Sequence, residues 1–304
     1  MDDLNCLGYS CSDENEADIA VMRTARQPCR DWIKLGTSWR GFERIEASFS
    51  GHGFDPHRHD SYAIGFTLQG VQSFRYRGRT EHCLPGQIFV LHPDELHDGR
   101  AGTKKGFRFR TLYIDPTAIS EALGEFRCPL PFVREAVSTA TYLREAIGDA
   151  LADVGAILED LLREEIVLKL ADALVRSDHS ARRPQLSAKN WDAVRRAREF
   201  LEANIRNAVT SDQLERATGL SRYSLARHFR ACLGTSPHRY TVFRRLDTAR
   251  EMLRRGVPLS EVAVACRFAD QSHLTRHFKR AFGVSPGRWA AIAGRLQPCR
   301  TDKY

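Results

Sequence analysis

Two sets of residues have the types and spacing to do chemistry. The first lies where the sequence repeats itself: Leu225, Arg227, His228, Phe229, Gly234, Ser236 and Pro237 recur as Leu274, Arg276, His277, Phe278, Gly283, Ser285 and Pro286, each 49 residues on. A register kept across so many positions marks a duplicated unit. Each copy reads as a helix-turn-helix whose second helix opens with polar residues. Its front turns carry Arg222, Tyr223, Ala226 and Arg227 in the first copy, and Gln271, Ser272, His273, Thr275 and Arg276 in the second. In a major groove, arginine can donate two hydrogen bonds to guanine and glutamine can pair with adenine, so these residues suit reading of DNA bases. Arg227 and Arg276, at equivalent positions, are the strongest candidates. The second set is His57, His59 and His97. Three imidazoles reaching one point suit Zn, Fe, Ni or Cu, contact with a small ligand, or plain hydrogen bonding at strand ends.

The elements that must position these residues follow from periodicity. Ser221 and Asp270 are good N-caps for the two second helices. Between the copies, Val242, Leu246, Ala249 and Leu253 recur at helical spacing until Gly256-Val257-Pro258 stops them. A connector of about 15 residues would span about 22 Å, and two reading heads on one face of a duplex need about 34 Å between them. One chain should therefore read a nonpalindromic site of two short elements. Earlier, from Trp39 to Ile114, the pattern has period two: Tyr62, Ile64, Phe66 and Leu68 alternate with small or polar residues, as do Phe107, Phe109, Thr111 and Tyr113. Turn residues at Gln69-Gly70, Gly78, Pro85-Gly86 and Pro93-Asp94 divide the runs, which predicts a β-barrel of about 80 residues. From Val133 to Val175 helical spacing returns, with Ile157, Leu161, Leu168 and Ala171 among charged residues, and predicts helices that cover the barrel and offer a subunit interface.

With 304 residues, 42% hydrophobic and 28% charged, the chain is globular and large enough for two domains. Its net charge of +8 is unevenly held: from Arg182 onward there are 25 Lys/Arg and 10 Asp/Glu, whereas the first 181 residues carry 21 and 28. The basic part suits a polyanion. The reversal coincides with the polar stretch Ser177 to Gln185, so the expected organisation is a leader over 1–30, a sensing and dimerisation domain over 31–176, a linker over 177–188, a DNA-binding domain over 189–296 and a tail over 297–304. No apolar run approaches the ~18 residues of a membrane helix, the N-terminus is acidic and polar, and the 8 cysteines contain no C-x-x-C pair. These features predict a reduced, cytoplasmic protein without a membrane partner.

Residues 190–294 resemble the DNA-binding domain of the AraC/XylS family of transcriptional regulators, through RFADQSHLTRHFK and GVSP. PHRHDSYAIGFTLQG and PGQIFVLHPDELHDG resemble that family's cupin-like sensor domain. The resemblance implies an α+β two-domain fold, with a cupin-like β-barrel and packing helices followed by an all-α domain of two helix-turn-helix motifs joined by a connector helix. It implies an activator that binds double-stranded DNA, dimerises through the helices at 133–175 and contacts RNA polymerase. A small-molecule effector would sit in the barrel between aromatic walls, with Tyr62, Phe66 and Phe74 as candidates and His57, His59 or His97 as polar contacts. Metal-binding cupins typically add a Glu four or five residues after the second His, and Ala63 and Ile64 stand there. The expectation is therefore no metal, no cofactor and no catalytic residue. Two alternatives stay open: a metal-dependent cupin enzyme with an appended DNA-binding domain, and an effector-independent DNA-binding dimer. One residue departs from the family pattern. Arg267 stands where the second turn usually has Gly, while the first copy keeps Gly219; at positive φ an arginine would cost about 1 kcal/mol.

Overall fold

The alternation between Trp39 and Ile114 is realised as two stacked antiparallel sheets. The structure is a computed structural model and describes residues 31–293, except 38, 40, 124–128 and 181–185. The expected leader and tail, and the middle of the expected linker, lie outside the described residues. The strands are β1 (Trp32–Leu35), β2 (Phe42–Phe49), β3 (His52–His57), β4 (Tyr62–Gly70), β5 (Gln72–Tyr76), β6 (Arg79–Cys83), β7 (Ile88–Leu91), β8 (His97–Ala101), β9 (Phe107–Ile114) and β10 (Val137–Ser138). One sheet has the order β1-β2-β9-β4-β7-β10 and the other β3-β8-β5-β6. The expected barrel is thus a cupin-like sandwich of two sheets rather than one closed ring of strands.

The six-stranded sheet is covered on both faces. Its inner face, with Phe49, Phe89, Phe107 and Phe109, shares a core with Phe74 and Tyr76 of the other sheet. Its outer face, with Tyr62, Ile64, Leu112 and Ile114, packs on helices. Those helices are α1 (Pro116–Ala122), α2 (Thr141–Leu151) and α3 (Asp160–Arg176). Along α3, Ile166, Leu170, Ala173 and Leu174 turn inward at three- and four-residue spacing, while Leu161 and Leu168 remain exposed.

The C-terminal half is helical: α4 (Ala188–Ala203), α5 (Ser211–Thr218), α6 (Arg222–Leu233), α7 (Pro237–Arg254), α8 (Leu259–Ala265), α9 (Gln271–Phe282) and α10 (Pro286–Ala293). Each helix-turn-helix has its own core. Leu214, Leu225 and Phe229 centre the first; Val262, Leu274 and Phe278 centre the second. The connector α7 joins them, with Tyr240 in the first core and Phe243, Leu246 and Ala249 in the second. It has 18 residues, hence about 27 Å, because Pro237 at its first position and the Ser236 cap start it earlier than the apolar spacing alone indicated.

Candidate nucleic-acid interface and histidine site

The two reading helices superpose in sequence register to the residue. Both α6 and α9 have 12 residues, start 49 apart and end at a left-handed glycine, Gly234 or Gly283, each with φ 69°. Ser221 accepts a hydrogen bond from the Ser224 amide, and Asp270 accepts one from the His273 amide, so each N-terminus is capped as expected. Leu225 and Phe229, like Leu274 and Phe278, turn inward. That leaves Arg222, Tyr223 and Arg227 exposed on α6, with Ala226 half-buried. On α9, Gln271, Ser272 and Arg276 are exposed, with His273 and Thr275 half-buried. The candidates differ in freedom. The Arg222 guanidinium donates to Asp212 Oδ1 at 3.1 Å and Glu215 Oε1 at 3.2 Å. His273 accepts from the Ala269 amide and lies 3.0 Å from His277 through their Nε2 atoms. Arg227 and Arg276 make no ion pair with any described residue.

The opposite ends of these helices dock on the sensor, which periodicity did not announce. At α6, the Leu130 amide donates to Ala231 O and Ser120 Oγ donates to Cys232 O. A Cβ on Gly234 would lie 2.6 Å from Pro93 Cβ. At α9, the Arg58 amide donates to Arg280 O and the Asp55 amide to Gly283 O. Here a Cβ on Gly283 would lie 2.6 Å from His57 Nδ1. Ion pairs reinforce both corners: Arg239 with Asp94 and Lys279 with Asp55, each at 2.7 Å, Arg288 with Asp31 at 3.0 Å, Arg244 with Asp60, and Arg250 with Glu43. Part of the positive charge read as suited to a polyanion is therefore neutralised within the chain by the acidic half. Burial pushes the Asp60 carboxyl up to about 6 even beside Arg244, while Asp60 and its acidic neighbours hold Arg244 firmly in its charged form.

The structure brings His57, His59 and His97 together. All three are buried, and their ring centroids lie 4.2 Å (His57–His97), 4.6 Å (His59–His97) and 6.0 Å (His57–His59) apart. Pairing of β3 with β8 sets His57 opposite His97, and the chain after β3 returns His59 to the same point. Burial depresses all three rings and their mutual proximity lowers His57 and His59 further; His97 falls to about 4. The rings are neutral at ordinary pH. The expected aromatic walls are elsewhere. Tyr62 and Phe66 pack on the helix-facing side of the six-stranded sheet, and Phe74 lies in the core between the sheets. A cavity of about 910 Å³ does adjoin the histidines, at the junction with the helical half, where Phe54, His57, His59 and Tyr113 face Arg244 and Arg250. Even residues of β4 point to the helices and odd ones inward, a parity that period two alone leaves undecided when both faces are covered.

Comparison with known proteins follows the same division. Residues 41–171 match the AraC-like ligand binding domain, and residues 214–292 match a helix-turn-helix domain. The uncharacterized HTH-type transcriptional regulator YbfI of Bacillus subtilis is 27% identical over 223 residues, 73% of this chain and 81% of that one. The HTH-type transcriptional regulator ArgR of Pseudomonas aeruginosa is 28% identical over 138 residues, 44% of this chain and 41% of that one. Among solved structures, ToxT from Vibrio cholerae O395 has the same fold, with a TM-score of 0.60 at 11% identity over 84% of this chain and 98% of that one. No described helix is long and apolar enough to cross a membrane.

Proposed function

The chain belongs to the AraC family of transcriptional regulators, and we propose that it grips a two-element operator through the front turns of α6 and α9 and alters that grip when a small molecule enters the junction cavity. One observation carries this reading. Both reading helices expose their N-terminal turns, with Arg227 and Arg276 in no ion pair with a described residue, while their C-terminal ends are fastened to the sensor. The cavity is lined from both halves, so a ligand there contacts both. It changes DNA affinity by as much as it prefers one arrangement of the halves over another. In this reading Arg227, Arg276 and Gln271 contact base edges, Tyr223, Ala226, Ser272 and Thr275 fit the groove around them, and Arg222 and His273 orient neighbouring groups or meet phosphate.

The protein acts by binding rather than catalysis, in the cytoplasm, as an activator that contacts RNA polymerase. It pairs with a second copy through Ile157, Leu161 and Leu168, apolar residues in α3 and the loop before it that are 80%, 78% and 57% exposed. The test is affinity of the full-length protein for DNA selected from a random pool, with and without candidate metabolites. Arg227→Ala and Arg276→Ala should each cost about 1 to 3 kcal/mol on the selected site and relax preference at one base position. An equal loss on every sequence would reduce both arginines to phosphate contacts.

A further inference from the structure

We propose that His57, His59 and His97 hold one divalent transition-metal ion through their Nε2 atoms. Each Nδ1 lies against a backbone carbonyl two residues away: His57 with Asp55 O at 2.8 Å, His59 with Ser61 O at 2.7 Å, His97 with Glu95 O at 2.9 Å. A carbonyl oxygen only accepts, so His59 and His97 carry the proton on Nδ1 and, as neutral rings, present a lone pair on Nε2, while the His57 ring lies against the backbone carbonyl of His97 as well as that of Asp55. A backbone carbonyl holding the distal N–H is the usual support of a metal-bound imidazole. Three independent strand-end histidines would have no reason to share this arrangement.

Convergence is the second observation. One ring nitrogen from each residue lies within 4.8 Å of the others. Nitrogens around a tetrahedral zinc at 2.0–2.1 Å are about 3.3 Å apart, so ring swings of about 1 Å would close the set. Third, His59 Nε2 is buried with no hydrogen-bond partner among the described residues. Such an orphan costs about 1 to 3 kcal/mol, and a bound group at the point where the rings converge would remove that cost. His59 and His97 cannot satisfy each other, because both Nε2 atoms are acceptors, and a cation at the point of convergence meets the unpartnered nitrogen of His59.

The donor set also selects the ion. All-imidazole ligation favours Zn²⁺, Ni²⁺, Co²⁺ or Fe²⁺ over the oxygen-seeking Mg²⁺ and Ca²⁺. The missing carboxylate at Ala63 and Ile64 does not forbid binding, since three protein ligands plus water or ligand is a sufficient set for zinc. His57 and His59 line the junction cavity, so the remaining position is reachable from it. This inference does not depend on the DNA-reading proposal, and its test involves no DNA.

Full-length protein stripped with a chelator would be titrated with Co²⁺ and Zn²⁺, following the visible absorption of cobalt and binding heat. The expected result is one equivalent per chain, with affinity reduced about 100-fold or more by His59→Gln and by His97→Gln at unchanged circular dichroism. His277→Ala, which removes half of the more exposed His273–His277 pair, should leave binding intact. No saturable binding, binding indifferent to His59→Gln and His97→Gln, or binding lost in His277→Ala would overturn the proposal. Should the glutamine variants fail to fold, X-ray absorption of the zinc-loaded native protein decides: a shell of three imidazoles supports the site and fewer than three refutes it.

Discussion

The corner after each reading helix meets the sensor beside a histidine, and the two meetings differ in kind. Gly234, after α6, rests on Pro93, next in sequence to His92; Gly283, after α9, rests on His57. His92 is buried and depressed to about 4, mainly by burial. Its Nε2 accepts the Val133 amide at 3.0 Å, and its ring lies against those of Tyr62 and Phe132, so that nitrogen is satisfied. At the other corner the imidazoles converge and His59 Nε2 is unmet. Burial and a low pKa are common to both corners and therefore do not identify a site. An unsatisfied nitrogen among converging rings does.

The harshest way to break the comparison is to fill the second corner. Gly283→Ala would place a Cβ 2.6 Å from His57 Nδ1 and 2.9 Å from Asp55 O, at φ 69°. Left-handed strain and overpacking together predict a loss of about 4 kcal/mol by urea denaturation. Gly219→Ala has the same φ penalty, at 71°, but open space around the new methyl. It should cost only about 1 to 2 kcal/mol. Equal losses would mean that the corner is not held against the sensor.

The first corner is sharpened by pH. The folded-state pKa of His92 lies near 4 and its unfolded value near 6.5, so the unfolded chain takes up a proton first as pH falls. Stability from this residue is whole above about 6.5 and declines by up to about 3 kcal/mol on the way to pH 4. The measurement is the denaturation midpoint across that range. His92→Gln should flatten the slope, and a slope unchanged by the substitution would assign the effect to other groups.

These two corners also show how far sequence reading reaches. The duplicated unit, its caps, its inward Leu225 and Phe229 and its outward Arg227 are local: each follows from residues within one or two turns, so the 49-residue register carried them intact. The strands were equally plain. What the pattern could not tell was the side of the sheet facing the ligand, and Tyr62 and Phe66 consequently lie with the helices. Pairs such as Arg244 with Asp60 and Arg250 with Glu43 join residues far apart in sequence, and no local signal distinguishes their charges from those of Arg227. The histidine trio was named from its residue types, but its tautomers and orphaned nitrogen exist only once β3 and β8 pair.

The smallest expected effect separates the two copies at their turns. Arg267 has φ 64°, in the position that Gly219 occupies at 71° in the first copy. It follows the end of α8, where the Phe268 amide donates to Ala263 O at 2.9 Å and the Arg267 amide to Val264 O at 3.1 Å, the closing bonds of a helix that ends in a left-handed residue. An arginine there bears strain of about 1 to 2 kcal/mol, partly offset by the freedom that glycine gains in the unfolded chain. Arg267→Gly should therefore raise stability by about 1 kcal/mol or less. Charge is a competing cause, because Arg267 also lies close enough to Arg245 to repel it. Arg267→Ala separates the two: it removes the charge and keeps the Cβ. Gain with glycine alone identifies backbone strain, whereas equal gain with alanine identifies repulsion, and no gain with either would show that this turn holds its arginine without strain.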